Sequence, residues 1–499
     1  MATGNTGDCI LVTARYWTRL GLSLARVVAA GLVGSLVTAL GVYIYLLDKR
    51  PDLSVWHVAD LDEEFTADSG INDFRQYLAL EERLFTQLDR LVYDQVPVGP
   101  EQAINRYSRG SLSDPGRWPL NWNRSFELGH EQPVAGVLLL HGLSDSPYSL
   151  RALGETLHET GATVLGLRIP GHGTAPSGLV ETRWQDMAAA VRLAARHVRK
   201  VAGDRPLYVV GYSNGGALAV QYALETLEDT SLPKASGLVL LSPEIGVSSV
   251  AALAVWQGRL GHLLGLEKLA WNVLLPEYDP FKYGSFAVNA GDLAYRLTAH
   301  IQQQLGALQK QDRLADLPPI LAFQSSVDAT VTASALVANL FDRLPPADHE
   351  LVLFDINRRA EVGSLLAEDP RTVFGPLLAK DKRSFDLTLV TNESPESNRA
   401  VALTTAPGER VPGAATYLDD WPPGVYSLSH VALPFSPLDP VYGGPLAADS
   451  PGIELGNLAP RGERGVLKVS GTDMLRLRWN PFYDYVESRV LDFTGLGAR

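Results

Sequence analysis

Six short apolar runs, at residues 134–140, 162–168, 207–211, 237–241, 320–324 and 350–354, alternate with longer stretches whose apolar residues recur at helical spacing. Leu150, Leu153 and Leu157 mark one such face, and Trp184, Met187, Ala188, Val191, Ala195 and Val198 mark another. Ser146-Pro147 ahead of the first reads as a helix cap followed by proline in the first turn. Strands rich in Val and Leu that alternate with helices build a parallel sheet covered on both sides. The fold class expected is α/β, a mostly parallel sheet with helices on both faces. Such sheets bind ligands beyond the carboxyl ends of their strands.

The residues at those ends carry the chemistry. They are His141-Gly142, Gly171-His172-Gly173, Ser213, Ser242-Pro243-Glu244 and Asp328. Ser213 lies in GYSNGG, directly after an apolar run, and fits the G-x-S-x-G pattern of a serine on a sharp strand-to-helix turn. A serine hydroxyl is a weak nucleophile, so it needs a base and a carboxylate to orient that base. It also needs donors for the oxyanion formed on an attacked carbonyl. The Asn214 N–H, at the start of the following helix, is the expected first donor, and the Leu143 N–H in HGLSDSPYS the second. Asp328, after a late run, is the candidate acid, with Glu244 as its rival. In this chain order the base follows the acid, which leaves His349 and His430. His349 falls just before run 350–354, at the amino end of the sheet. His430, in YSLSHVALPF, can return across the carboxyl ends, so it is the expected base. His141 and His172 precede the serine and are expected to shape loops near the pocket.

Residues 27–47 carry no charge, and roughly 20 apolar residues span a bilayer. The run exceeds the apolar core of a signal peptide and is followed by a poor cleavage site, so an uncleaved single-pass anchor is expected. Arg15, Arg19 and Arg26 before it against Lys49 and Arg50 after it lean toward an inner N-terminus. The catalytic bulk is then extracytoplasmic, periplasmic in a bacterium. A formal net charge of −13 without a Lys/Arg cluster argues against nucleic-acid binding. Cys9 is the only cysteine, which excludes an intramolecular disulfide and a cysteine-based zinc site.

Ser213, Asp328 and His430, with VLLLHGLSDSPYSL, GLRIPGHGT, VVGYSNGG and SSVDATV, resemble the α/β-hydrolase superfamily, in particular its monoacylglycerol lipases, lysophospholipases and carboxylesterases. The resemblance covers about residues 130–355 and the surroundings of His430. It implies a serine hydrolase working through an acyl-enzyme on a small-molecule ester or lipid, with no metal and no organic cofactor. Two departures stand out. Asp328 and His430 are 102 positions apart, so residues about 356–425 read as an insertion in which SFDLTLVTN adds a strand. The other is the anchor with its helical lead-in. The expected organisation is a tail (1–26), an anchor (27–47), a helical lead-in with first strands (48–129) and a hydrolase domain (130–499). A helical cap is expected at about 246–310, where an apolar lid would suit an apolar pocket. The function expected is membrane-anchored hydrolysis of carboxylic esters. The alternatives are an amide or peptide hydrolase on the same triad and a non-catalytic membrane scaffold.

Overall fold

The computed structural model describes residues 6–246, 267–359, 363–378, 383–458 and 468–497. The chain divides into two units, Met1–Asp52 and Leu53–Arg499. Among its described residues the first holds one helix, α1 (Thr6–Asp48), which takes in residues 6–26 of the expected tail and the whole expected anchor. Within it Ser23–Tyr43 is long and apolar enough to cross a membrane, and none of that window is buried.

The second unit is organised by a sheet that has ten strands among the described residues. They are β1 (Phe126–Leu128), β2 (Gly136–Leu140), β3 (Thr163–Leu167), β4 (Leu207–Tyr212), β5 (Gly237–Leu241), β6 (Ile320–Ser325), β7 (Glu350–Phe354), β8 (Asp386–Asn392), β9 (Arg399–Thr405) and β10 (Thr416–Asp420). Their order is β1-β3-β2-β4-β5-β6-β7-β8-β9-β10. The seven strands β2 to β8 are mutually parallel, while β1, β9 and β10 join antiparallel. The chain moves outward in one direction from β2 to β3 and in the other from β4 onward. The ends of β2 and β4 therefore flank the point where strand order reverses, where open α/β sheets form their binding crevice.

The period of two along each strand divides the core into two layers. Leu138, Leu140, Val209, Leu238 and Leu240 face one side with α4 (Trp184–Ala202), α5 (Asn214–Glu228) and α6 (Val288–Lys310). Val137, Leu139, Val210 and Val239 face the other with α3 (Arg151–Glu159) and the C-terminal α7 (Tyr483–Thr494). Gly495, in the left-handed region with φ 65°, ends α7, as glycine does where a β-carbon would clash.

The lead-in supplies α2 (Phe74–Leu91), capped by the Asp73 side chain accepting the Gln76 N–H. It is built into the body by charge. Arg168, at the end of β3, is fully buried between Glu64 at 2.9 Å and Glu81 at 3.0 Å, and its Nη1 also donates to the His172 carbonyl. Glu64 in turn accepts the Gly171 N–H.

The segment between β7 and His430 does more than add one strand. It contributes β8, parallel to β7, and then an antiparallel meander through β9 and β10. β-Branched residues such as Thr388, Val390 and Thr391 in β8 and Val401 and Thr404 in β9 suit this half-buried extension. Of the expected cap, residues 247–266 lie outside the described residues. Its described part is a two-stranded ribbon, Trp271–Val273 against Phe286–Ala287, followed by α6. The buried stripe of α6, Leu293, Leu297, Ile301, Leu305 and Leu308, packs into the body.

Candidate active site

Ser213 sits between β4 and α5 with φ 54° and ψ −118°, a conformation that costs a non-glycine residue on the order of 1–3 kcal/mol. The surrounding structure imposes it. The Ser213 N–H donates to Leu241 O, and the Ser213 carbonyl accepts from Gly216, Ala217 and Glu244. The flanking glycines are fixed by space. A β-carbon on Gly211 would lie 2.4 Å from Gly215 O, and one on Gly215 2.0 Å from Leu140 O. This crowding explains why the motif carries glycine two positions to either side of the serine.

His430 lies between Ser213 and Asp328. Its Nε2 is 3.0 Å from Ser213 Oγ and its Nδ1 is 2.7 Å from Asp328 Oδ2. All three side chains are buried. Asp328 Oδ1 accepts the N–H groups of Thr330 and Val331, and Oδ2 accepts from Gln324 Nε2. Burial pushes the Asp328 carboxyl up, but the hydrogen bond and charge of His430 and the two backbone donors outweigh it and hold its pKa below the ordinary value. An ionised Asp328 therefore orients the imidazole with Nδ1 protonated, leaving Nε2 free to accept a proton.

The segment leading into His430 is docked by three hydrogen bonds. Ser325 Oγ donates to Leu428 O at 2.8 Å, the Asn357 N–H donates to Tyr426 O at 2.8 Å, and Ser429 Oγ donates to Leu477 O. His349 lies elsewhere. Its Nδ1 accepts the N–H of Ile320, the first residue of β6, and burial lowers its pKa to about 4. Glu244 makes no hydrogen bond to His430. Its Oε2 is buried without a partner, and burial together with the charge of Asp328 raises its pKa to about 7.

Asn214 opens α5, where no intrahelical acceptor exists for its N–H. Leu143 lies in the turn 142–145, closed by the Asp145 N–H donating to Gly142 O at 3.2 Å. His141 packs behind this turn. Its Nε2 accepts the Ile169 N–H at 3.1 Å, so its proton is on Nδ1, which donates to Gly142 O at 2.9 Å. Burial, then the neighbouring His172, drives its pKa well below the usual histidine range. Sequence reading did not identify Arg168, Asp145 or Lys282 as parts of this region. Arg168 alone left a trace, a charge closing an otherwise apolar run. A separate cavity of about 1220 Å³ is lined by Leu61, Phe65, Val180, Trp271 and several carboxylates, and Ser213, Asp328 and His430 do not line it. No group of His, Cys, Asp and Glu suited to a metal ion occurs among the described residues.

A mostly parallel sheet with Ser213 on a strand-to-helix turn at its strand-order reversal, and with Asp328 and His430 brought beside it from later loops, is the α/β-hydrolase fold. The chain resembles that superfamily, and within it the monoacylglycerol lipase and esterase branch. Residues 131–357 match the family model described as serine aminopeptidase, S33. A thermostable monoacylglycerol lipase of Bacillus sp. (strain H-257) is 29% identical over 134 residues, covering 27% of this chain and 50% of the relative. An uncharacterized abhydrolase domain-containing protein of Dictyostelium discoideum is 24% identical over 280 residues, covering 54% of this chain and 28% of the relative. The chain thus spans half or less of the length of these curated relatives. Among solved structures, the Paleococcus ferrophilus monoacylglycerol lipase is 19% identical with a TM-score of 0.34, covering 51% of this chain and 98% of that one.

Proposed function

We propose that this chain is a membrane-anchored serine hydrolase that cleaves carboxylic esters through Ser213, His430 and Asp328. The observation that carries the reading is the continuous hydrogen-bond chain from Ser213 Oγ to His430 Nε2 at 3.0 Å and from His430 Nδ1 to Asp328 Oδ2 at 2.7 Å. Ser213 Oγ attacks the ester carbonyl carbon as its proton passes to His430 Nε2, and Asp328 stabilises the resulting imidazolium. The carbonyl oxygen becomes an oxyanion held by the Leu143 and Asn214 N–H groups. Collapse of the tetrahedral intermediate breaks the bond to the alcohol oxygen, which takes the proton from His430. Water, deprotonated by the same imidazole, then attacks the acyl-enzyme and releases the acid. Residues 27–47 serve as the anchor, supported by the exposed apolar window in α1, and the hydrolase unit lies outside the cytoplasm.

The lipase relative supports a lipid-like acyl ester as substrate. The aminopeptidase description of the matched family favours a second reading, amide or peptide hydrolysis by the same three residues. Fluorophosphonate labelling followed by turnover of p-nitrophenyl esters of rising chain length, beside aminoacyl p-nitroanilides, separates them. Labelling that persists in Ser213→Ala refutes the nucleophile, and faster turnover of anilides than of esters reverses the substrate class.

A further inference from the structure

The turn that presents the Leu143 N–H is held from outside the motif that encodes it. Gly142 O is fixed by the Asp145 N–H and by His141 Nδ1. Ser144, with φ 62°, has its carbonyl taken by the Tyr283 N–H at 2.9 Å. Asp145 Oδ2 receives Lys282 Nζ at 2.9 Å, with 7% of the Asp145 side chain and 28% of the Lys282 side chain exposed. Two adjacent residues, Lys282 and Tyr283, thus grip two adjacent residues of the turn. The gripping segment is itself fixed. Asp279 Oδ1 accepts the N–H groups of Phe281 and Lys282 and the Tyr442 hydroxyl. The Tyr283 hydroxyl accepts the Thr174 N–H and donates to Gly171 O.

We infer that Lys282 is a positioning residue that sets the oxyanion turn through its ion pair with Asp145, and so aims the Leu143 N–H at the developing oxyanion. The inference rests on the proposed serine mechanism. Space leaves the turn few alternatives. A β-carbon on Gly142 would lie 2.8 Å from Asp145 Oδ2 and 3.0 Å from the Tyr212 ring, so the carboxylate packs directly against the peptide that leads into Leu143. Burial pushes the Asp145 carboxyl up, and the Lys282 charge opposes that push. Without Lys282 the buried carboxylate has every reason to turn toward solvent, carrying the turn with it. Lys282 and Tyr283 lie between the two strands of the ribbon that follows residues 247–266. The oxyanion turn is therefore tied to the cap side of the sheet.

The test is kinetic. Lys282→Met, Lys282→Arg, Asp145→Asn and the double variant Lys282→Met/Asp145→Asn are assayed on p-nitrophenyl butyrate and with a trifluoromethyl ketone, whose hemiketal carries an oxyanion. Removing an oxyanion donor outright costs about 10²–10³ in kcat, so a misaimed donor should cost about 10–100-fold. Lys282→Met should lose that factor in kcat with KM within about twofold, and bind the ketone more weakly by a similar factor. Lys282→Arg should recover most of the loss, and the double variant should be no worse than Asp145→Asn alone. Should Lys282→Met fail to fold, Lys282→Gln and Asp145→Asn carry the same comparison. A kcat within twofold of wild type in Lys282→Met, or losses that multiply in the double variant, overturns the inference and leaves the triad standing. A wild-type chain that neither turns over esters nor takes the fluorophosphonate overturns the proposed mechanism, and the inference with it.

Discussion

Arg168→Met should destabilise the hydrolase unit by about 3 kcal/mol, and adding Glu64→Gln and Glu81→Gln should restore most of that loss. The Arg168 side chain is fully buried, with Glu64 14% and Glu81 4% exposed. Its guanidinium donates to both carboxylates and to His172 O. Truncating one partner of a buried ion pair typically costs about 3–5 kcal/mol, because the other charge stays buried. The lower end applies here, since both carboxylates keep other donors. Glu81 holds the Ser125 N–H and hydroxyl, and Glu64 holds the N–H groups of Phe65 and Gly171. Replacing the whole triad of charges removes the stranded anions and is often close to neutral. Urea unfolding followed by tryptophan fluorescence measures both variants. A single-variant loss below about 1 kcal/mol, or a triple variant no better than the single, would refute the reasoning.

His430→Ala should lose ester turnover about as severely as Ser213→Ala, several orders of magnitude, whereas His349→Ala should keep most of it; kcat/KM on one ester decides. Asp328 has a depressed pKa, so the stability it confers is present above the ordinary carboxylate value and lost as pH falls through its folded-state value. Asp328→Asn should lack that acid-side fall in an unfolding series. Glu244 has the opposite sign. Its pKa rises from 4.5 to about 7, so wild-type stability should decline as pH climbs through that window. Glu244→Gln should then be more stable at pH 8 by up to about 3 kcal/mol. Carbonate extraction should leave the full-length chain with membranes, and protease added to spheroplasts should degrade the hydrolase unit. Release in the first experiment refutes the anchor, and protection in the second reverses the orientation.

The six runs read from the sequence coincide with strands β2 to β7 to within two residues, because strands buried on both faces leave unbroken apolar text. Ser213 was legible through the crowding that demands glycine at 211 and 215. Chain order left His349 and His430 after Asp328, and the place of His349 at the amino end of the sheet pointed to His430, which the fold brings 3.0 Å from Ser213 Oγ and 2.7 Å from Asp328 Oδ2. The meander of β8 to β10 was only half visible, because its third strand, Thr416–Asp420, is largely exposed and carries little apolar signal. Glu64, Glu81 and Arg168 stand 87 to 104 positions apart in their pairings. Single charges at such separations read as solvated residues until the fold brings them together. Lys282 and Asp145 were hidden for the same reason.

Ser213 and His430 are separated by 217 positions, and the meander occupies part of that interval. At about 5–20 residues per second of synthesis, roughly 10–40 s pass between the appearance of Ser213 and that of His430. Throughout that time the elbow, its glycines and the 142–145 turn already exist as chain, but the proposed base does not. The later α7 must also close over the sheet, where Tyr208 hydroxyl donates to Thr494 O at 2.7 Å. On the proposed mechanism, a chain built in this order is silent until His430 has been made and docked, so its chemistry cannot begin on a half-made sheet.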